Sequence, residues 1–240
     1  MEFDAGFHDI WGSLYKAQLS QIKQYACSDY LLGFEQLELP ADHIPSLEHL
    51  NDRISPRTGW RVERTNVRYT DAVPWYHKFK QRIFLITDYM RSWEELAWTP
   101  EPDMFHDIFG HLPYMTLPHY TALQEMFAPA FLAANGKQRE DIKRLAWFST
   151  EFGLIREAGE MKIFGAGLIS GRAEMENVIH GNVPISDYTI ENVINYDKAV
   201  WEQNKILFII DSIDQLKAEL RRYFDPIRAG EDPRIRHVIS

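Results

Sequence analysis

A chain of 240 residues and 28.2 kDa suits one large domain or two small ones, and it is long enough to bury a sizeable core with no disulfide staples. Its 45 % hydrophobic, 13 % aromatic and 25 % charged residues exclude disorder and collagen-like repeats. The net charge of −9, from 26 basic against 35 acidic residues, argues against nucleic acid or anionic lipid as a partner.

In chain order, the opening MEFDAGF is acidic and lacks the basic region and apolar stretch of a targeting leader. Trp11, Leu14, Tyr15, Leu19 and Ile22 then fall close to one helical face. Cys27 is the one cysteine, which excludes an internal disulfide or a Cys-based metal site and reads as core packing in a reducing compartment. Leu47, Leu50 and Ile54 form a second stripe behind Ser46, a predicted N-cap, so residues 1–58 are expected to be scaffold helices. Trp60 to Glu63 alternates like a half-buried strand, and Ile83 to Thr87 reads as a short buried one, giving a small sheet element. Helical signals return at Glu101 to Phe109, at His119 to Ala134 and from Arg139 past Phe152, punctuated by Gly110, Pro113, Pro118 and Asn135-Gly136. A weak helix follows near Arg172 to His180, then a strand at Ile206 to Ile210, a run far too short to cross a bilayer. Ser212 and Gln215 form a capping-box pattern for a last helix that carries Leu216, Leu220 and Tyr223 on one face. The fold class is therefore mainly α with a minor β component (α+β), one compact domain over 1–240, expected in the cytoplasm with no membrane contact.

The densest chemistry lies in Thr99 to His111, TPEPDMFHDIFGH, which holds two histidines, two prolines, a glycine and three acids. Five residues turn an ideal α-helix by about 500°, leaving His106 and His111 about 140° apart, so they share a metal only if the helix ends or distorts between them. Gly110 and Pro113 are the expected break. Spacing alone leaves open that His106 is a hydrogen-bonded core histidine and His111 a helix-end cation. Glu151 lies four residues after Trp147, among the apolar neighbours of WFSTEFG, where a carboxylate is rarely buried unless hydrogen-bonded, paired or metal-bound. Two imidazoles and a carboxylate make the facial triad of non-haem Fe(II) oxygenases; zinc accepts the same set, so the donors alone leave the metal open.

These residues resemble the tetrahydropterin-dependent aromatic amino acid hydroxylases. The blocks are TPEPDMFHDIFGHLP, WFSTEFGL about forty residues later, KIFGAGLIS (162–170) and, more faintly, TDYMRS (87–92); the resemblance runs from about residue 60 to 224. It implies that His106, His111 and Glu151 are the metal ligands, with Glu151 and Asp107 beside the chemistry. It also implies that Arg91, Thr99, Asp103, Trp147 and Ser170 form the substrate site, with Arg91 holding the carboxylate and Asp103 ordering Arg91 or the helix start. Trp75 and Asp107 would seat the pterin. The chain departs from the family pattern at Asp107, one methylene shorter than the usual Glu, at Ala146 and Gly171, and along Arg68 to Pro74, where the pterin loop should lie.

The implied activity is a monooxygenase that uses Fe(II), tetrahydrobiopterin or a related tetrahydropterin, and O2 to hydroxylate the ring of an aromatic L-amino acid, with phenylalanine to tyrosine foremost. Other substrates or ring positions (Trp, Tyr, Phe at the meta position), a metal-binding relative without hydroxylation and a zinc hydrolase are the alternatives. With no long heptad helix after Phe224, a monomer is expected.

Overall fold

The computed structural model describes residues 5–68, 70–97, 99, 101–198 and 202–233. Three helices open it: α1 (Ala5–Tyr25), α2 (Ser28–Leu37) and α3 (Leu47–Thr58). The α1 stripe faces the core as its spacing requires, with Trp11 and Ile22 fully enclosed and Leu19 partly buried. Ser46 caps α3 by accepting the His49 amide, and Gly59 ends it in the left-handed conformation at φ 74°. Helix α2 has no counterpart among the elements expected from sequence: its buried face is Tyr30, Gly33 and Leu37, one of which has no side chain to register as apolar.

The small sheet element is a parallel pair, β1 (Arg61–Thr65) and β2 (Ile83–Thr87), whose connection carries α4 (Ala72–Lys80). A parallel pair needs such a crossover, so the helix between the strands follows from their geometry. Beyond it come α5 (Leu112–Met115), α6 (Pro118–Gln124), α7 (Phe127–Ala133) and α8 (Gly136–Ala146). The helix expected over His119 to Ala134 is thus two, parted at residues 125–126, and the one expected from Glu101 begins only at Met104. Asn135 caps α8 with a reciprocal box to Gln138.

The remaining elements are β3 (Leu154–Glu157), β4 (Glu160–Ile163), α9 (Ala166–Ser170), α10 (Arg172–Ile179), β5 (Ile185–Asp187), α11 (Ile190–Ile194), β6 (Leu207–Ile210) and α12 (Ile213–Arg228). The four strands form a second sheet in the order β4-β3-β6-β5, of which the sequence had indicated only β6. On α12 the expected face is buried, but the capping box is half made: Ser212 accepts the Gln215 amide, while the Gln215 side-chain oxygen is buried without a partner. Mainly helical with a minor β component is the observed architecture.

What positions the site is an aromatic bed. Phe105 and Phe109 stack at 4.7 Å; Trp11 meets Phe105 edge-on at 5.3 Å and Tyr15 meets Phe109 at 5.6 Å. The Tyr30 hydroxyl donates to the Phe109 carbonyl at 2.7 Å. Thus α1 and α2 grip one side of the segment that carries His106 and His111, and leave its other side to the cavity.

Candidate active site

His106 and His111 come together through a widened turn. Residues His106–His111 form a π-helical turn, in which the backbone bonds i→i+5 and residues five apart share a face. Gly110 and Pro113 therefore do not end the helix, contrary to expectation: Gly110 lies inside the π-turn and Pro113 at the start of α5, which continues it. Gly110 is instead required by close approach, because a Cβ there would sit 2.7 Å from the Ala166 carbonyl oxygen of α9. Glu151 closes a second π-turn, Trp147–Glu151, sealed by the Phe152 amide bonding to the Trp147 carbonyl. That turn pairs Trp147 with Phe152, ring centroids 4.6 Å apart, rather than lining it up with Glu151 as an α-helix would.

The three side chains converge. His106 Nε2 lies 3.1 Å from His111 Nε2, and the Glu151 carboxylate oxygens lie 3.4 Å and 3.1 Å from those two nitrogens. All three ligand atoms fall within 4.8 Å of one another. Ser170 sets the tautomer of His106. Its hydroxyl has one proton and donates it to the Ala166 carbonyl at 2.9 Å, so the 2.9 Å contact with His106 Nδ1 has the imidazole as donor. The proton on Nδ1 leaves the Nε2 lone pair facing His111 and Glu151. Burial opposes a charge on Glu151, but the adjacent imidazoles outweigh it and hold the carboxyl well below its usual range. Burial also opposes a charged His106, and Glu151 reverses that, raising the imidazole above its ordinary value. Two ring nitrogens and an ionised carboxylate pointing at one locus fit a divalent cation better than they fit one another.

Around this triad lies a cavity of about 260 Å³, lined by most of the residues that the sequence singles out: Trp75, Arg91, Thr99, Asp107, Trp147 and Ser170. Asp103 is the exception. It is fully buried away from the cavity and reaches it only through Arg91, whose Nε and Nη2 it binds at 2.8 Å and 2.9 Å. The same carboxylate accepts the His106 amide at 3.0 Å, so it orders both Arg91 and the helix start. Burial works against its charge, and the Arg91 guanidinium beside it holds the carboxyl below the usual range. Arg91 itself lines the cavity, and Nη1 is the guanidinium nitrogen that Asp103 does not bind.

Asp107 accepts the Thr87 amide at 2.8 Å, tying the first π-turn to the end of β2, and burial pushes its carboxyl up to about 7. Trp75 is half-buried, stacked on Phe79 at 5.4 Å and edge-on to Phe84 at 5.3 Å, and Phe84 in turn packs on the His111 ring at 5.2 Å. The Trp147 indole donates to Asn204 Oδ1 at 2.9 Å. Of the stretch 68–74, Tyr69 lies outside the described residues; Arg68 and Thr70 line the cavity mouth, where Arg68 pairs with Glu101 and lies 3.6 Å over the Tyr89 ring.

Sequence reasoning missed Thr65, Thr87, Phe152, Gly167 and Glu174 among the lining residues. For Glu174 a signal was present: it stands one turn before Val178 and next to Met175, on the buried side of α10.

The family described as biopterin-dependent aromatic amino acid hydroxylase matches the chain over residues 1–230. Phenylalanine-4-hydroxylase of Vibrio cholerae is 30 % identical over 224 residues, covering 90 % of this chain and 75 % of the relative. That of Pseudomonas aeruginosa is 35 % identical over 170 residues, covering 70 % and 63 %. The iron- and phenylalanine-bound crystal structure of phenylalanine hydroxylase from Chromobacterium violaceum superposes with a TM-score of 0.86 at 28 % identity, over 95 % of this chain and 83 % of that one.

Proposed function

The chain belongs to the biopterin-dependent aromatic amino acid hydroxylases, and from that premise we propose that it hydroxylates the ring of L-phenylalanine to give tyrosine, with Fe(II) held by His106, His111 and Glu151. The convergence of those three donors on one cavity wall is the observation that carries the reading. The named substrate of the Vibrio, Pseudomonas and Chromobacterium relatives supports phenylalanine over tyrosine or tryptophan. Fe(II) with a tetrahydropterin, tetrahydrobiopterin or a relative of it, supplies the electrons and the open coordination positions for O2 activation, which zinc, having no redox chemistry, does not.

This chain's residues bind, orient and exclude water. Arg91 presents its Nη1 edge to the substrate carboxylate, a planar charged donor pre-aimed by Asp103. Thr99 and Ser170 stand beside that grip, and Ser170 also keeps His106 Nε2 unprotonated. The Trp147 indole, fixed by Asn204, forms the wall for the aromatic ring. Trp75 offers its exposed side to the pterin, and Asp107, shorter than the usual Glu and already holding Thr87, reaches the pterin through water. Residues 1–240 form one catalytic domain in this reading, a cytoplasmic monomer that contacts neither nucleic acid nor membrane. The free buried Cys27 supports a reducing compartment, and among the described residues no helix is long and apolar enough to cross a membrane.

The test is product analysis by mass spectrometry after incubating the iron-loaded protein with each aromatic amino acid, a tetrahydropterin and O2. Tyrosine from phenylalanine is expected. A meta-hydroxylated product, or turnover of tyrosine or tryptophan alone, would overturn the substrate assignment.

A further inference from the structure

Glu174 is the one carboxylate lining the cavity that has neither a cation nor an imidazole beside it among the described residues. Glu151 faces two histidines, Asp107 adjoins His106, Glu101 pairs with Arg68, and Glu202 pairs with Lys205. Glu174 is 7 % exposed, stands in the first turn of α10, which follows Ser170, and accepts from the backbone amide of Asn204. A carboxylate offers about four acceptor sites, and one amide fills one of them. A buried acid without a counter-charge takes up a proton or costs stability, and a cation placed beside it relieves both. Burial pushes the Glu174 carboxyl up to about 7, and a cation brought beside it would favour its charged form again.

The cavity already supplies what a zwitterion's other pole needs. Arg91 stands in the same cavity wall as a fixed positive group, with its own counter-ion, Asp103, turned away from the cavity. An α-amino acid whose carboxylate meets Arg91 brings its ammonium into the remaining space. We propose that Glu174 is the receptor for the substrate's ammonium group, a specificity-determining residue that makes this cavity select amino acids over their deaminated acids. The inference rests on the reading of the cavity as an amino-acid site.

A purely structural role gives a different signature. Through Asn204, Glu174 is linked to the Trp147 indole, so loss of its acceptor would loosen the aromatic wall for any ligand. Glu174→Gln separates the two roles, since the amide side chain still accepts from Asn204 but carries no charge. Glu174→Asp keeps the charge.

The experiment is anaerobic titration calorimetry of Fe(II)-loaded protein with L-phenylalanine and with 3-phenylpropanoate, which has the ring and carboxylate but no ammonium. Glu174→Gln is expected to weaken phenylalanine binding by about tenfold to a hundredfold, the range for a hydrogen bond to a charged group, and to leave 3-phenylpropanoate within about twofold. Glu174→Asp is expected to retain the preference for phenylalanine. Equal losses for both ligands in Glu174→Gln, or no loss for either, would overturn the inference while leaving the amino-acid site intact. Failure of the unaltered protein to bind phenylalanine would overturn that reading of the cavity and the inference together.

Discussion

The two ends of the cavity are built differently. At the metal end, His106, His111 and Glu151 sit on π-turns pressed against α9, with Phe105 and Phe109 locked in aromatic packing behind them. At the outer end, Trp75, Val67 and Thr70 lie beside a two-stranded parallel pair, and Arg68 crosses to Glu101 through a half-exposed ion pair. Exposed pairs contribute about 0–1 kcal/mol, whereas a buried pair broken on one side costs several times that. The inner end holds geometry by packing, and the outer end by weak, salt-screened contacts.

The largest effect tests the inner end directly. His106→Ala, His111→Ala and Glu151→Ala are each expected to lose most bound metal, read by elemental analysis after dialysis; near-stoichiometric iron in all three would remove the triad. Next, Asp103→Ala strands Arg91, which is 2 % exposed, as a buried unpaired charge. It should cost about 3–5 kcal/mol of stability in denaturant titration. A loss below 1 kcal/mol would mean that Arg91 swings out to water.

Ligand affinities give the intermediate effects. Arg91→Lys keeps a charge but cannot span Asp103 and a substrate carboxylate together, so phenylalanine affinity should fall by about 1.5–3 kcal/mol with iron content unchanged. Ser170→Ala removes the acceptor for the His106 Nδ1 proton and is expected to weaken iron binding by about 10–100-fold, measured by competition with a chelator.

The outer end should respond least. Trp75→Ala is expected to weaken tetrahydropterin binding by about 0.5–1.5 kcal/mol beyond lost area, because part of the ring's packing is with Phe79 and Phe84. Metal and amino-acid binding should be untouched, and Asp107→Glu should be neutral or should improve pterin affinity. A Trp75→Ala protein that also sheds iron would show the two ends to be one mechanical unit.

What was legible in the sequence follows the same division of physics. The ligand-bearing blocks could be read because their residue types are unusual for core helices, and the α1, α3 and α12 faces because an apolar stripe at regular spacing has one interpretation. The π-turns could not be read: a pattern argument assumes 3.6 residues per turn, and the widened turn at His106–His111 packs against α9, far off in sequence. Helix α2 hid because Gly33 stands in its buried stripe. Strands β3 and β4, LIRE and EMKI, are too short for alternation to register, and their pairing gains meaning only beside β6. Asp103 carried its partnership with Arg91 in the family resemblance, but its burial away from the cavity needed coordinates.

Where backbone meets backbone, natural variation has little to work with. At Gly165 a Cβ would collide with the Glu151 carbonyl, and at Gly110 with that of Ala166, so neither position accepts even the smallest side chain without displacing a ligand-bearing turn. Around Trp75 the packing is looser, so substitutions there act on pterin affinity before they reach the metal-bearing turns. The iron-binding turns must be inherited whole. A mutational scan of the gene would show Gly110 and Gly165 to be as intolerant as the metal ligands they support, and a laboratory seeking new chemistry from the fold would place its diversity at the cavity mouth.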